Sequence, residues 1–252
     1  ASSEALSADV QAIVDRGVLK VGVKNAVKGF SFQDTLTGEY TGLEDSLAEM
    51  IAEHLGVDVE FTTVTAATRG ELLDSGDIDC VLATFTITDE RRKSVDFTGK
   101  YYYSPARLTM KEGTLVSDDF SSLSGKRIAV QRATTTDRFA SEVLAPKGVE
   151  VVRYSSQNEI YLDMVAGRVD GTLADAIPVD EGFLKTEQGK GFAFVGPSFT
   201  DPAYFGEGAG IAVRKGDKAL LDKLNAAILA LRANGEYQKI QSKYFSFDIY
   251  GE

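Results

Sequence analysis

The chain of 252 residues has no tryptophan, one cysteine, one histidine and five prolines. A single cysteine excludes an intramolecular disulfide. Cys80 lies inside an apolar stretch, residues 78–85, and reads as a buried strand residue. The only histidine, His54, falls in the helical pattern of residues 47–55, and nothing in the sequence pairs it with a nucleophile. No cluster of Cys, His or carboxylates has metal-ligand spacing, and the G-x-x-x-x-G-K-[ST] and G-x-S-x-G motifs are missing. These absences disfavour serine, cysteine and zinc hydrolases, and no cofactor is expected. No run approaches the ~18 apolar residues of a membrane span. No basic flank precedes an apolar N-terminal stretch, so no signal peptide is expected within this sequence. A shortage of cations relative to acids leaves a net charge of −11. That argues against nucleic acid, whose phosphates call for a basic face, and against anionic membrane surfaces.

What is present is a normal apolar content, 43%, spread along the whole length. Residues 18–24 alternate as a strand, and residues 44–55 repeat apolar side chains at helical spacing before Gly56. Residues 57–64 read as a strand, 69–75 as a helix stopped by Gly76, and 80–85 as a buried strand. A second series of the same grammar runs from strand 127–131 through helix 137–144, strand 149–154, helix 158–166 and strand 169–174. Strands follow at 191–195 and 211–214, then a long amphipathic helix at 218–234 and a further helix at 236–244. Strand–helix alternation is the pattern of an α/β protein with parallel sheets, whose ligands sit beyond the carboxyl ends of strands. Lys24, the segment from Phe85 to Arg91, the segment from Gln131 to Thr136, and Asp175 occupy such ends.

The densest polar stretch runs from Thr84 through Phe85, Thr86 and Thr88 to Arg91. Threonine hydroxyls and backbone N–H groups converging with a guanidinium fork would clamp a carboxylate. The same residues fit a Thr-rich strand followed by a helix capped by Thr88. Thr134, Thr135 and Thr136 again follow a strand and open a helix, where orphan N–H groups suit an anion or an ordinary threonine cap. Asp175 fits either an α-ammonium partner or a loop acid.

Together these stretches resemble the polar-amino-acid solute-binding proteins of ABC transporters, over nearly the whole chain. The resemblance is carried by VGVKN (21–25), TGEYTGLEDSLAEMIAEHLG (37–56), TRGELLDSGDIDCVLATFTITDERR (68–92), GKRIAVQRATTT (125–136) and AGRVDGTLAD (166–175). The first lobe is similar to aspartate/glutamate receptors. The tail YFSFDIYG (244–251) is similar to histidine and lysine/arginine/ornithine receptors. The resemblance implies a two-lobed periplasmic-binding-protein-like α/β fold, each lobe a mainly parallel sheet flanked by helices, joined by a two-strand hinge. Lobe 1 would comprise residues 1–106 plus 207–252 and lobe 2 residues 107–206. It implies a non-enzymatic, monomeric receptor, periplasmic or extracellular. Such a receptor closes about its hinge on a free amino acid and delivers it to an ABC permease.

Carried over position by position, Arg91 takes the ligand α-carboxylate with Thr86, Thr134 and Thr135. Asp175 takes the α-ammonium, helped by Thr84. Lys24 falls where receptors for cationic amino acids place an acid, so it opposes lysine, arginine or ornithine. Arg69 resembles the arginine that meets a ligand side-chain carboxylate. Glutamate or aspartate is therefore expected. Gln157 stands where acidic receptors often have tyrosine, which keeps glutamine and asparagine open. Phe30 and Phe85 are candidates for the pocket wall, with a core role equally open. A cyclohexadienyl dehydratase-like enzyme, with Glu181 or Asp170 as general acid, is the rival of a different class.

Overall fold

Two series of strand and helix condense separately in the computed structural model, which describes residues 8–246 and 248–251. Residues 1–7, 247 and 252 of the expected first lobe lie outside the described residues. By internal contacts the chain divides into one unit of Ala1–Tyr103 with Gly208–Glu252 and a second of Ser104–Glu207.

The first unit begins with α1 (Ala8–Arg16), β1 (Val18–Val23), β2 (Ala26–Val27), β3 (Ser31–Gln33) and β4 (Tyr40–Thr41). It continues through α2 (Leu43–Leu55), β5 (Asp58–Thr63), α3 (Arg69–Ser75), β6 (Cys80–Val81), α4 (Asp89–Arg92) and β7 (Val95–Tyr102). The second unit holds β8 (Ala106–Lys111), β9 (Arg127–Gln131), α5 (Thr135–Phe139), β10 (Glu150–Tyr154) and α6 (Gln157–Val165). It ends with β11 (Gly171–Asp175), α7 (Ala176–Val179), β12 (Phe192–Phe199) and α8 (Pro202–Phe205). The chain then returns to the first unit for β13 (Ala209–Arg214), α9 (Lys218–Ala233) and α10 (Glu236–Tyr244).

The described residues form one five-stranded sheet in each unit. The first is ordered β5-β1-β6-β13-β7 and the second β10-β9-β11-β8-β12. In the first, β5, β1 and β6 pair in parallel while β13 is antiparallel to both its neighbours. In the second, β10, β9 and β11 are parallel and β8 is antiparallel to both its neighbours. Each sheet is therefore mixed: one reversed strand is inserted among four that point the same way. Both faces of the second sheet are covered, as parallel strands require. Ile128 and Val130 of β9 face one apolar cluster with Leu108, Leu144 and Leu173, and Ala129 between them faces another with Ile160, Met164 and Phe183.

Glycines end the helices where the apolar repeat ends. Gly56 (φ 74°) and Gly76 (φ 83°) close α2 and α3 in the left-handed conformation that lacks a Cβ penalty. Gly42 meets a different demand: a Cβ there would lie 2.2 Å from the Phe30 carbonyl oxygen. That close approach lets the N–H groups of Leu43 and Glu44 bond the carbonyls of Gly29 and Phe30 at 2.8 and 2.9 Å. The start of α2 is thereby pinned, with Glu44 and Asp45 turned inward.

Two features depart from the sequence reading. The strand expected at residues 80–85 is a ladder only at Cys80–Val81. Beyond it Thr84 turns to φ 48°, and its N–H donates to the Glu44 carboxylate instead of to a neighbouring strand. A small sheet, β2-β3-β4, lies between the first expected strand and the helix of residues 44–55, where no strand was expected, its strands being too short to show alternation.

Candidate functional site

In the first unit, six of the expected residues lie on the loops after β1 and β6 and on the short helices α3 and α4. Phe85, 6% exposed, is the surface shared by two of them, Arg69 and Arg91. The Arg69 guanidinium carbon lies 3.8 Å from the centre of its ring and that of Arg91 4.9 Å away. Guanidinium groups stack on aromatic faces because the ring's negative quadrupole meets a weakly hydrated, planar cation.

Arg91 is held in two ways. Thr88 caps α4, its hydroxyl accepting the Arg91 N–H at 3.1 Å, and the Arg91 side chain donates from Nη1 to the Thr86 carbonyl at 2.8 Å. The Thr86 backbone is itself fixed by a bridge to Ala209. Thr88 is thus the helix cap expected of it, and Arg91 is partly exposed and oriented by its own backbone and by Thr86. Thr84 carries positive φ, which is rare for a β-branched residue and costs of order 1–3 kcal/mol. Its hydroxyl donates to Ala83 at 2.8 Å.

Arg69 is only 2% exposed. Its Nη1 donates to the Ala83 carbonyl at 2.8 Å, while its Nε has no hydrogen-bond partner among the described residues. Burial holds its pKa well below the usual arginine value, and the nearby Arg91 charge adds to that. Lys24, directly after β1, is also buried.

A carboxylate that sequence reasoning passed over lies beside them. Glu44 is fully buried in the first turn of α2. It accepts the Thr84 N–H at 2.7 Å and the Tyr101 hydroxyl, leaving Oε1 without a partner among the described residues. Desolvation raises its pKa to about 7, with the hydrogen bonds and the charges of Lys24 and Arg69 pulling the other way. The available signal was its phase: Glu44 shares the buried face of α2 with Leu47, Ala48 and Ile51, where an acid breaks the apolar stripe. Phe30 does not join this group. Its ring is fully buried between Tyr102, at 4.7 Å, and Phe245, at 5.0 Å.

In the second unit, Thr134 caps α5. Its hydroxyl accepts the Asp137 N–H at 3.1 Å and donates to Gln131 at 2.6 Å. Thr135, 8% exposed, is the first residue of that helix. Asp175 is the last residue of β11, opposite Ala106 of β8, and stands at the start of α7 without capping it through its side chain. Gln157, the first residue of α6, donates to the Thr172 hydroxyl at 3.1 Å, which in turn donates to the Ala129 carbonyl at 2.8 Å. The general-acid candidates are engaged elsewhere: Glu181 pairs with Lys185 at 2.6 Å, and Asp170 accepts the Arg127 N–H at 2.8 Å. Cys80 is buried, which pushes its thiol pKa up, and His54 is exposed. The described residues contain no group of three metal-ligating side chains and no helix long and apolar enough to cross a membrane.

The family model for bacterial extracellular solute-binding proteins, family 3, matches residues 19–247. The chain belongs to that family. It is 50% identical to the L-arginine-binding protein of Pseudomonas aeruginosa over 233 residues, 92% of this chain and 90% of that one. Among solved structures it is similar to an ancestral arginine-binding protein bound to arginine, with TM-score 0.82, 35% identity, and coverage of 92% of this chain and 99% of that one. It is also similar to an ancestral amino acid-binding protein described as a precursor of cyclohexadienyl dehydratase, with TM-score 0.82, 31% identity, and coverage of 94% and 99%. Family membership makes this chain an extracellular receptor of the two-lobed type.

Proposed function

We propose that this extracellular amino-acid-binding receptor takes a dicarboxylic L-amino acid, glutamate or aspartate, for delivery to an ABC permease. The reading rests on Arg69, buried and stacked on Phe85 with an unspent Nε among the described residues, beside the buried Lys24 and the oriented Arg91. Glu44, its pKa raised to about 7 by burial, offsets Lys24 and Arg69 only in part. A dicarboxylic ligand brings two carboxylates to the remainder, Arg91 taking the α-carboxylate and Arg69 with Lys24 the side chain. A cationic side chain would add like charge to desolvated cations, at a cost of several kcal/mol. In the second unit Asp175 is assigned to the α-ammonium and Thr135 to the α-carboxylate. Thr134, its hydroxyl engaged in the cap, contributes by shaping the turn. Hinge closure completes the capture.

A second reading, a cationic ligand, is favoured by the relatives: the 50% identical protein named for arginine, others named for histidine at 37% and for lysine, arginine and ornithine at 34% identity, and the ancestral protein bound to arginine. Glutamine or asparagine stands between the two, since Gln157 could serve an amide as well as an acid. A thermal-shift screen of the twenty amino acids separates them. Saturation at about 100 times the dissociation constant stabilises by about 2.7 kcal/mol. Stabilisation by glutamate or aspartate is expected. Stabilisation by arginine, lysine or histidine with none by the acids would overturn the reading.

A further inference from the structure

Glu44 touches the candidate site from behind, and nothing in the site's expected roles accounts for it. Its carboxylate bonds the N–H of Thr84, the residue held at φ 48°, and the Tyr101 hydroxyl. It is fully buried, its Oε1 has no partner among the described residues, and it interacts with both Lys24 and Arg69. A merely structural anchor for the Thr84 amide and the Tyr101 hydroxyl would not need a charge, because the two lone pairs of a neutral carbonyl accept both donors. A negative charge among buried cations, in contrast, sets the local potential that a ligand side chain meets.

We propose that Glu44 is a positioning and selectivity residue: it orients Thr84, and its charge offsets Lys24 and Arg69 and so sets the preference between acidic, amide and cationic ligand side chains. The proposal deepens the dicarboxylic reading for its sign but not for its existence. An ionised Glu44 weakens binding of an acidic side chain and strengthens binding of a cationic one. The groups facing it are Lys24 after β1, Arg69 on α3 and Tyr101 on β7, with Asp45 next to it on α2. Burial raises the Glu44 pKa to about 7, so its charge changes within an accessible pH range. An acidic ligand raises that pKa further, and its binding therefore takes up a proton. Affinity for glutamate should rise relative to glutamine as the pH falls through 7.

The test is calorimetric titration of the full chain with glutamate, glutamine and arginine at pH 5.5, 7 and 8.5, on the wild type and on Glu44→Gln. Glutamine at position 44 keeps an acceptor for the Thr84 N–H and removes the charge. The expected result is a glutamate-to-glutamine affinity ratio that increases roughly tenfold in Glu44→Gln at pH 8.5. The ratio should climb as pH falls in the wild type and stay flat in the variant. If the wild type binds arginine instead, the dicarboxylic reading has failed, while Glu44→Gln should still weaken arginine relative to glutamine by a similar factor. Equal losses for every ligand, with ratios unchanged, would reduce Glu44 to a structural anchor and overturn the proposal. The wild-type pH profile decides it alone should the variant not fold: a ratio independent of pH overturns it.

Discussion

Asp45 sits one residue from Glu44 on α2, in a place where an aliphatic side chain would be expected to pack. It is 1% exposed. One carboxyl oxygen accepts the Ser31 hydroxyl at 2.8 Å, and Oδ2 has no partner among the described residues. Desolvation, reinforced by the neighbouring Glu44 and Glu49 charges, raises its pKa from 3.8 to about 8. Folding then carries a proton that the unfolded chain gives up. The native state binds more protons than the unfolded state between those two values, so stability is greatest below pH 3.8 and falls as pH rises towards 8. One proton costs about 1.4 kcal/mol per pH unit within that window. From pH 5 to 7 the loss attributable to Asp45 is about 3 kcal/mol. Asp45→Asn has nearly the same shape, can accept the Ser31 hydroxyl, and never ionises. It should exceed the wild type by about 2 kcal/mol at pH 5 and by about 4 kcal/mol at pH 7. Urea unfolding of the ligand-free protein at pH 5, 6 and 7 reads this directly. It is followed by far-UV circular dichroism because the chain has no tryptophan. Stability curves of wild type and variant that run parallel in pH would refute the reasoning, since they would mean that Asp45 ionises in the fold as readily as in the open chain.

Arg91→Ala should lower ligand affinity by roughly a hundredfold or more, because it leaves a desolvated α-carboxylate without its bidentate partner. Unchanged calorimetric binding would remove Arg91 from the site. Thr84→Gly should raise the thermal midpoint, relieving about 1 kcal/mol of backbone strain at φ 48°, while weakening ligand binding through loss of the hydroxyl. A fall in both would show that the Thr84 side chain supports the fold more than its backbone strains it.

Much of the local structure was legible because it is written in spacings. Apolar repeats and the glycines that follow them located α2 and α3 to within a residue, and Thr88 and the threonine run 134–136 announced caps, the second of which the structure gives to Thr134. The candidate clamp from Thr84 to Arg91 was visible for the same reason: its residues are neighbours in the chain as well as in space. The ring of Phe30 was not separable from a pocket wall, because hydrophobicity reports that a side chain is covered but not by what. Tyr102 and Phe245, far away in sequence, supply that answer.

The sequence by itself determined the class of the molecule: two α/β series, no catalytic constellation, and loops after strand ends rich in threonine and cations. Only the tertiary structure decided that Lys24, Glu44, Arg69, Phe85, Arg91 and Tyr101 share one neighbourhood, since they come from separate elements brought together by the first sheet and its helices. The protonation of Glu44 and Asp45 was likewise out of reach. A carboxylate's pKa depends on the water removed around it and on charges within a few ångströms, and neither quantity exists until the chain has folded.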